Sequence, residues 1–141
     1  MIQRIVEILV EFKYFRSLTS RVLRVFFVDI PGSVKIKGRI ILPHGGMGVV
    51  IHPNTIIGDN VRIYQQVTVG RADIWNEKPS ESFKGVEIGD NVILCAGAKV
   101  LTEAYLKIGA GTIVGANSVL TKSTGDNEVW AGVPARFIRM R

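Results

Sequence analysis

A six-residue beat governs most of this chain. From Ile51 the sequence reads IHPNTI, IGDNVR and IYQQVT, then Val69-Gly70. It resumes as IGDNVI from Ile88, LCAGAK from Leu94 and VLTEAY from Val100. After a two-residue slip it continues as IGAGTI from Ile108, VGANSV from Val114 and LTKSTG from Leu120. The first position is always Ile, Leu or Val. The fifth is Thr55, Val61, Val67, Val92, Ala98, Ala104, Thr112, Ser118 or Thr124, all small or β-branched. Neither the helical period nor strand alternation gives this spacing, so the chain is a repeat before it is anything else.

A six-residue unit needs a short extended segment followed by a bend. Gly58, Asn60, Gly89, Asn91, Gly109 and Gly115 are suited to the bends, since Gly and Asn tolerate positive φ. The first residue then points inward and the small fifth fits beside the corner. Three such flat segments close one coil of about eighteen residues, and coils stack by parallel pairing. The sequence holds roughly four coils between Val28 and Asp126. An earlier register runs through Val28, Val34 and Ile40 as first positions, with Gly32 and Gly38 as the small fifths.

At 141 residues the chain is one domain with little room for a second. Residues 1–27 form a helical segment, residues 28–141 the solenoid, and a C-terminal tail begins at about 127. A single cysteine, Cys95, excludes a disulfide framework and fits a reducing, cytoplasmic setting as inert packing. The net charge of +6 includes Arg4, Lys13, Arg16, Arg21 and Arg24 near the start and Arg136, Arg139 and Arg141 at the end. No nucleic-acid motif accompanies these charges, which argues against a nucleic-acid partner. The N-terminal segment is too interrupted by charge to span a bilayer and lacks a secretion-signal pattern. It is expected to pack on the prism or on a neighbouring subunit. A basic amphipathic helix of this kind can also rest on an inner-membrane surface.

The beat fails in two places. At LPHGGMG, residues 42–48, the register shifts between Ile40 and Ile51, and His44 falls where a small fifth residue belongs, followed by Gly45-Gly46. An imidazole beside glycines that admit a ligand close to the backbone marks a candidate site. Between residues 70 and 87 a polar loop leaves the corner after Val69, carrying Trp75, Pro79, Ser80 and Phe83. Long loops leaving a compact coil are more often functional than decorative. His52, beside Pro53, reads as a corner residue. A zinc site of the carbonic-anhydrase kind needs three histidines, and this chain has two, so no metal is expected.

The hexads resemble the left-handed parallel β-helix of the hexapeptide-repeat family. The run from Val28 to Gly70 is similar to the catalytic coils of its serine O-acetyltransferase branch. The ending VWAGVPARFIRMR resembles that branch's AGVPAR signature. The resemblance implies an all-β prism that assembles as a homotrimer and uses acetyl-CoA as co-substrate without metal. By the same resemblance His44 matches the catalytic histidine and Asp29 the aspartate that orients it, with stacked coils bringing the two near each other. Ala96, Gly97, Ala98, Gly115 and Ala116 match the turns along which the pantetheine arm lies. Lys122 and Arg136 are matched to its phosphates, and Arg139 less directly.

Several positions depart from that pattern. Pro43 stands where the serine enzymes place an aspartate before the catalytic histidine, and Lys84-Gly85 replaces an Arg-His pair. The residues that grip serine are thus mostly absent. The expectation is therefore an O-acetyltransferase acting on the hydroxyl of a sugar or glycan precursor, with Trp75, Phe83 and Gly70 at the acceptor. Serine acetylation is the alternative, and a non-catalytic solenoid scaffold the second. The aromatics at 75 and 83 are equally suited to anchoring the loop.

Overall fold

The computed structural model describes residues 2–11, 16–76 and 83–141. Two helices, α1 (Ile2–Glu11) and α2 (Arg16–Val25), precede fourteen short strands. The strands are β1 (Lys35–Ile36), β2 (Ile40–Ile41), β3 (Val50–Ile51), β4 (Thr55–Ile57), β5 (Val61–Ile63), β6 (Thr68–Arg71) and β7 (Gly85–Ile88). Then come β8 (Ile93–Leu94), β9 (Lys99–Thr102), β10 (Tyr105–Ile108), β11 (Ile113–Val114), β12 (Val119–Leu120), β13 (Glu128–Gly132) and β14 (Ala135–Met140).

Every third strand returns to the same sheet. The orders are β1-β4-β7-β10, then β2-β5-β8-β11-β13-β14, and β3-β6-β9-β12. All pairings are parallel except β13 with β14. The chain therefore winds through a first, second and third sheet in turn, four times over. The expected eighteen-residue rise holds from Val50 to its partner Thr68. It becomes twenty-one from Lys35 to Ile56 because the 42–48 turn is inserted. It becomes thirty-one from Thr68 to Lys99, where the loop after β6 intervenes, and twenty from Lys99 to Val119, where the slip falls.

Inside, the repeat reduces to pairs of buried residues two apart: Thr55 and Ile57, Val61 and Ile63, Val67 and Val69, Val92 and Leu94, Ala98 and Val100, Thr112 and Val114, Ser118 and Leu120. Each pair comprises a fifth position and the next first position, so both point into the same core. Ala104 does not follow: it is exposed, and Leu106 fills the inward place because the slip re-phases the chain there. The early register also differs from expectation. Ile36 lies opposite Ile57 and Ile40 opposite Val61. Val34 and Ile40 thus occupy fifth positions, with Ile36 and Leu42 as the firsts. Hydrophobicity alone does not separate the two inward positions of a coil.

The bends divide by cause. Asn60 and Asn91 adopt positive φ as expected. Gly89 does not, and it is needed instead for close approach, since a Cβ there would lie 2.7 Å from Ala110 N in the next coil. The helices pack over the start of the prism. Val6 of α1 and Leu23 of α2 are fully buried in the same core as the coils, so both helices pack on the prism. Among the described residues no helix is long and apolar enough to cross a membrane. Beyond residue 127 the chain is ordered rather than a plain tail. β13 extends the second sheet in parallel with β11, and β14 folds back on it as the edge.

Candidate functional site

His44 does not occupy an inward fifth position. Because Leu42 is the inward residue, His44 lies beyond it in a short 3₁₀ turn, Pro43–Gly46, with its side chain exposed. His44, Gly45 and Gly46 carry φ of 56°, 72° and 65°. A left-handed backbone costs a non-glycine residue about 1–2 kcal/mol, so the turn holds its imidazole against a local preference. The turn is held by Gly45 N–H to Leu42 O at 3.1 Å, Val49 N–H to Gly46 O at 2.9 Å and Gly48 N–H to Phe27 O at 2.7 Å.

This turn heads one corner of the prism, between the second and third sheets. Gln66 N–H donates to Met47 O, Gly97 N–H to Gln65 O and Asn117 N–H to Ala96 O, each at 2.9 Å. The His44 turn, Tyr64-Gln65-Gln66, Cys95-Ala96-Gly97 and Gly115-Ala116-Asn117 therefore stack as successive rungs. The last rung continues into β13, where Gly115 N–H donates to Trp130 O at 2.8 Å and Ala131 faces Arg136. Neighbouring strands lie about 4.8 Å apart, so three steps from His44 to Gly115 span roughly 14 Å. The lower rungs carry small residues, of which Ala96 and Gly115 are half-buried, Gly97 is buried and Ala116 is exposed. Ala96, Gly97, Ala98, Gly115, Ala116 and Arg136 all lie on or beside this edge. Ala98 itself is buried in the core.

Lys122, by contrast, follows β12 and sits at the next corner, across the third sheet. Trp75 and Phe83, in the loop between β6 and β7, belong to that second corner too, and Gly70 lies just before it within β6, paired with Leu101. Phe83 is not a free stacking surface. It is 9% exposed, meets the His52 ring edge-on at 4.7 Å between centroids, and lies 4.4 Å beneath the Arg71 guanidinium. Arg71 in turn forms two 2.8 Å hydrogen bonds to the fully buried Asp73. These contacts anchor the loop root. Burial, with the nearby Arg71 charge adding to it, holds the His52 pKa below its ordinary value. Trp75 is 74% exposed and remains available. Pro79 and Ser80 fall outside the described residues.

Asp29 reaches the neighbourhood of His44 through the backbone. Its N–H donates to Val49 O and its carbonyl accepts from Ile51 N–H, both at 2.8 Å, on the far limb of the His44 turn. Its carboxylate engages Arg24 Nε at 3.0 Å, and among the described residues it makes no hydrogen bond to His44.

Three features escaped the sequence reading. Tyr64 is half-buried with its ring 6.5 Å from His44. Its bulk at the second place of a hexad, where Gly is frequent, is the signal that marks it. Gln65, one rung below His44, has a buried side-chain oxygen with no partner. The third is an open cleft of about 600 Å³ lined by His44, Gly45, Met47, Val25, Phe26 and Phe27 together with Gln3. Nothing in the hexads announces it, because Gln3 of α1, Val25 of α2 and the Phe26-Phe27 turn after α2 supply more than half of its lining. Cys95 sits on the ladder, and burial pushes its thiol pKa up, consistent with inert packing.

Serine acetyltransferases of Staphylococcus aureus strain Mu50 and of Staphylococcus xylosus are each 39% identical to this chain. The matches span 121 and 123 residues, which is 85% and 86% of the chain and 53% of either relative. The chain spans about half the length of the curated relatives it matches. Among solved structures, soybean serine acetyltransferase complexed with serine superposes with a TM-score of 0.71 at 34% identity, over 97% of this chain and 54% of that one. A serine acetyltransferase in complex with CoA gives 0.71 at 30% identity, over 97% and 54%. No family model matches the chain. In sequence and fold the chain therefore belongs with the hexapeptide-repeat acyltransferases, on their serine O-acetyltransferase-like branch.

Proposed function

We propose that the chain is an acetyl-CoA-dependent O-acetyltransferase with His44 as general base. The observation that carries this reading is the single corner on which His44 heads a ladder of small-residue turns at Ala96-Gly97 and Gly115-Ala116. A neutral imidazole takes the proton of an acceptor hydroxyl, and the resulting oxygen nucleophile attacks the thioester carbonyl. Backbone N–H groups of the glycine-rich turn steady the oxyanion. As the tetrahedral species collapses, the carbon–sulfur bond breaks and His44 returns the proton to the leaving thiolate. No acyl-enzyme forms. Asp29 would orient the imidazole once its carboxylate turns from Arg24.

The winding is taken as left-handed, as the family resemblance implies. A homotrimer is part of the proposal. Its support is that Trp75 and Lys122 lie a sheet's width from the His44 corner within one chain, so a neighbour's second corner would complete the site. Localisation is proposed as cytoplasmic, in keeping with the single free Cys95.

For the acceptor, the relatives favour serine over the sugar hydroxyl that the departures first suggest. The sugar stands as a second reading on one observation: Pro43 and Lys84-Gly85 occupy the places of the serine enzymes' polar residues. Following thiol release from acetyl-CoA with serine, and separately with a sugar panel, tests both. Turnover on serine alone removes the sugar, and no release with any acceptor removes the enzyme.

A further inference from the structure

The corner that His44 heads carries one long polar side chain where the rungs below carry alanine. Gln66 N–H donates to Met47 O, Gly97 N–H to Gln65 O and Asn117 N–H to Ala96 O. Met47, Gln65 and Ala96 therefore hold the same place in successive rungs, and Ala116 follows as the third residue of its hexad. Gln65 is half-buried, and its side-chain oxygen is shut off from solvent with no hydrogen-bond partner among the described residues. Its own chain shields it, so a neighbouring copy can only deepen that burial. On the same rung, the ring of Tyr64 lies 6.5 Å from that of His44.

A buried amide oxygen without a donor destabilises the free protein, and such groups are rare enough to need an explanation. The fold accepts methionine and alanine at the matching places, so an amide is not required there by the coil itself. A side-chain amide oxygen is purely an acceptor. The phosphates and the thioester of acetyl-CoA offer it no donor, whereas the pantetheine arm carries two amide N–H groups. Two carbons separate the nearer amide from the sulfur, a span of about 4 Å, like that between consecutive Cα atoms, which also lie three bonds apart. Neighbouring rungs are about 4.8 Å apart. An amide held at Gln65 thus suits a thioester presented one rung further on, where His44 stands.

We infer that Gln65 binds and positions the acyl donor by accepting a hydrogen bond from the amide N–H nearest the thioester. The last torsion of a glutamine side chain is broad, so the oxygen can turn outward to meet the arm. That bond sets how far along the corner the thioester sits from the imidazole. The inference rests on the ladder as the path of the donor and adds the residue that fixes its register there.

The test compares the purified full chain with its Gln65→Met variant, which keeps the side-chain length and removes the acceptor. Calorimetry follows CoA and, separately, adenosine 3′,5′-bisphosphate, which has phosphates but no arm. CoA is expected to bind the variant about threefold to tenfold more weakly, the usual worth of one neutral hydrogen bond. The bisphosphate is expected to bind both proteins equally. The thermal midpoint of the free variant is expected to stay level or rise, because an orphaned polar atom has gone. An equal loss of both ligands would overturn the inference. A lower midpoint would overturn it too, by showing that water or a neighbouring copy already satisfies the oxygen. CoA bound equally by parent and variant removes the role of Gln65 alone, whereas a parent chain that binds no CoA removes the transferase reading and that role together.

Discussion

The carboxylate of Glu7 accepts a hydrogen bond from the Leu42 N–H at 3.1 Å, tying α1 to the residue that leads into the His44 turn. A helix that the hexads say nothing about thereby sets the start of the candidate site. Glu7→Ala leaves that half-buried donor without its partner, at a cost of about 1 kcal/mol. The expected result is a larger fall in kcat than in stability. Steady-state rates and chemical denaturation measured on one preparation check it, and a purely proportional loss of folded protein would count against it.

His44→Ala should lower kcat by about a hundredfold to ten-thousandfold, the usual contribution of a positioned base. CoA affinity should change little, because the ladder rungs at Ala96 and Gly115 are untouched. Equal turnover by the variant and the parent protein would remove His44 from the chemistry.

Cys95 lies on the same corner as the proposed pantetheine groove, with its thiol pKa raised by burial. Thiolate is the reactive form, so iodoacetamide should modify Cys95 slowly near pH 7.5 and faster as the pH rises. Saturating CoA should slow the labelling further. Mass spectrometry of time points reads both effects, and indifference to CoA would place the cofactor elsewhere.

His52 couples the fold to pH. Its folded pKa lies below the ordinary histidine value of 6.5, so the unfolded chain binds the proton more readily. Stability from neutral His52 is present above about pH 6.5 and is lost as the pH falls from there towards the depressed folded pKa. Denaturation midpoints should drop across that window, and His52→Gln should flatten the drop. A slope unchanged in the variant would assign it to other groups.

Gly89→Ala should destabilise the prism by about 1–3 kcal/mol, because the added methyl meets Ala110 N at 2.7 Å and Ile108 O at 2.9 Å, both backbone atoms that cannot swing away. Gly70→Ala is the control, since its nearest contact would be Leu101 Cδ2 at 3.8 Å. Thermal melts of the two variants should separate clearly.

The sequence by itself determined the beat, most of the inward residues from Ile51 onward, with Ala104 the exception, and the two places where the beat fails. These are local properties: a hexad states which side chain faces inward within its own coil. It also carried the resemblance that singles out His44. Only the tertiary structure decided the phase of the first coil, where Ile36 and Leu42 rather than Val34 and Ile40 align with the later first positions. It alone decided that His44 shares a corner with Ala96 and Gly115 while Phe83 and Lys122 do not, and that Phe83 is spent on His52 and Arg71. The reason is physical. Which residues share a corner depends on how the 42–48 turn, the loop after β6 and the slip before Ile108 lengthen each coil. Parallel hydrogen bonds between coils absorb those lengths, and no single hexad records them.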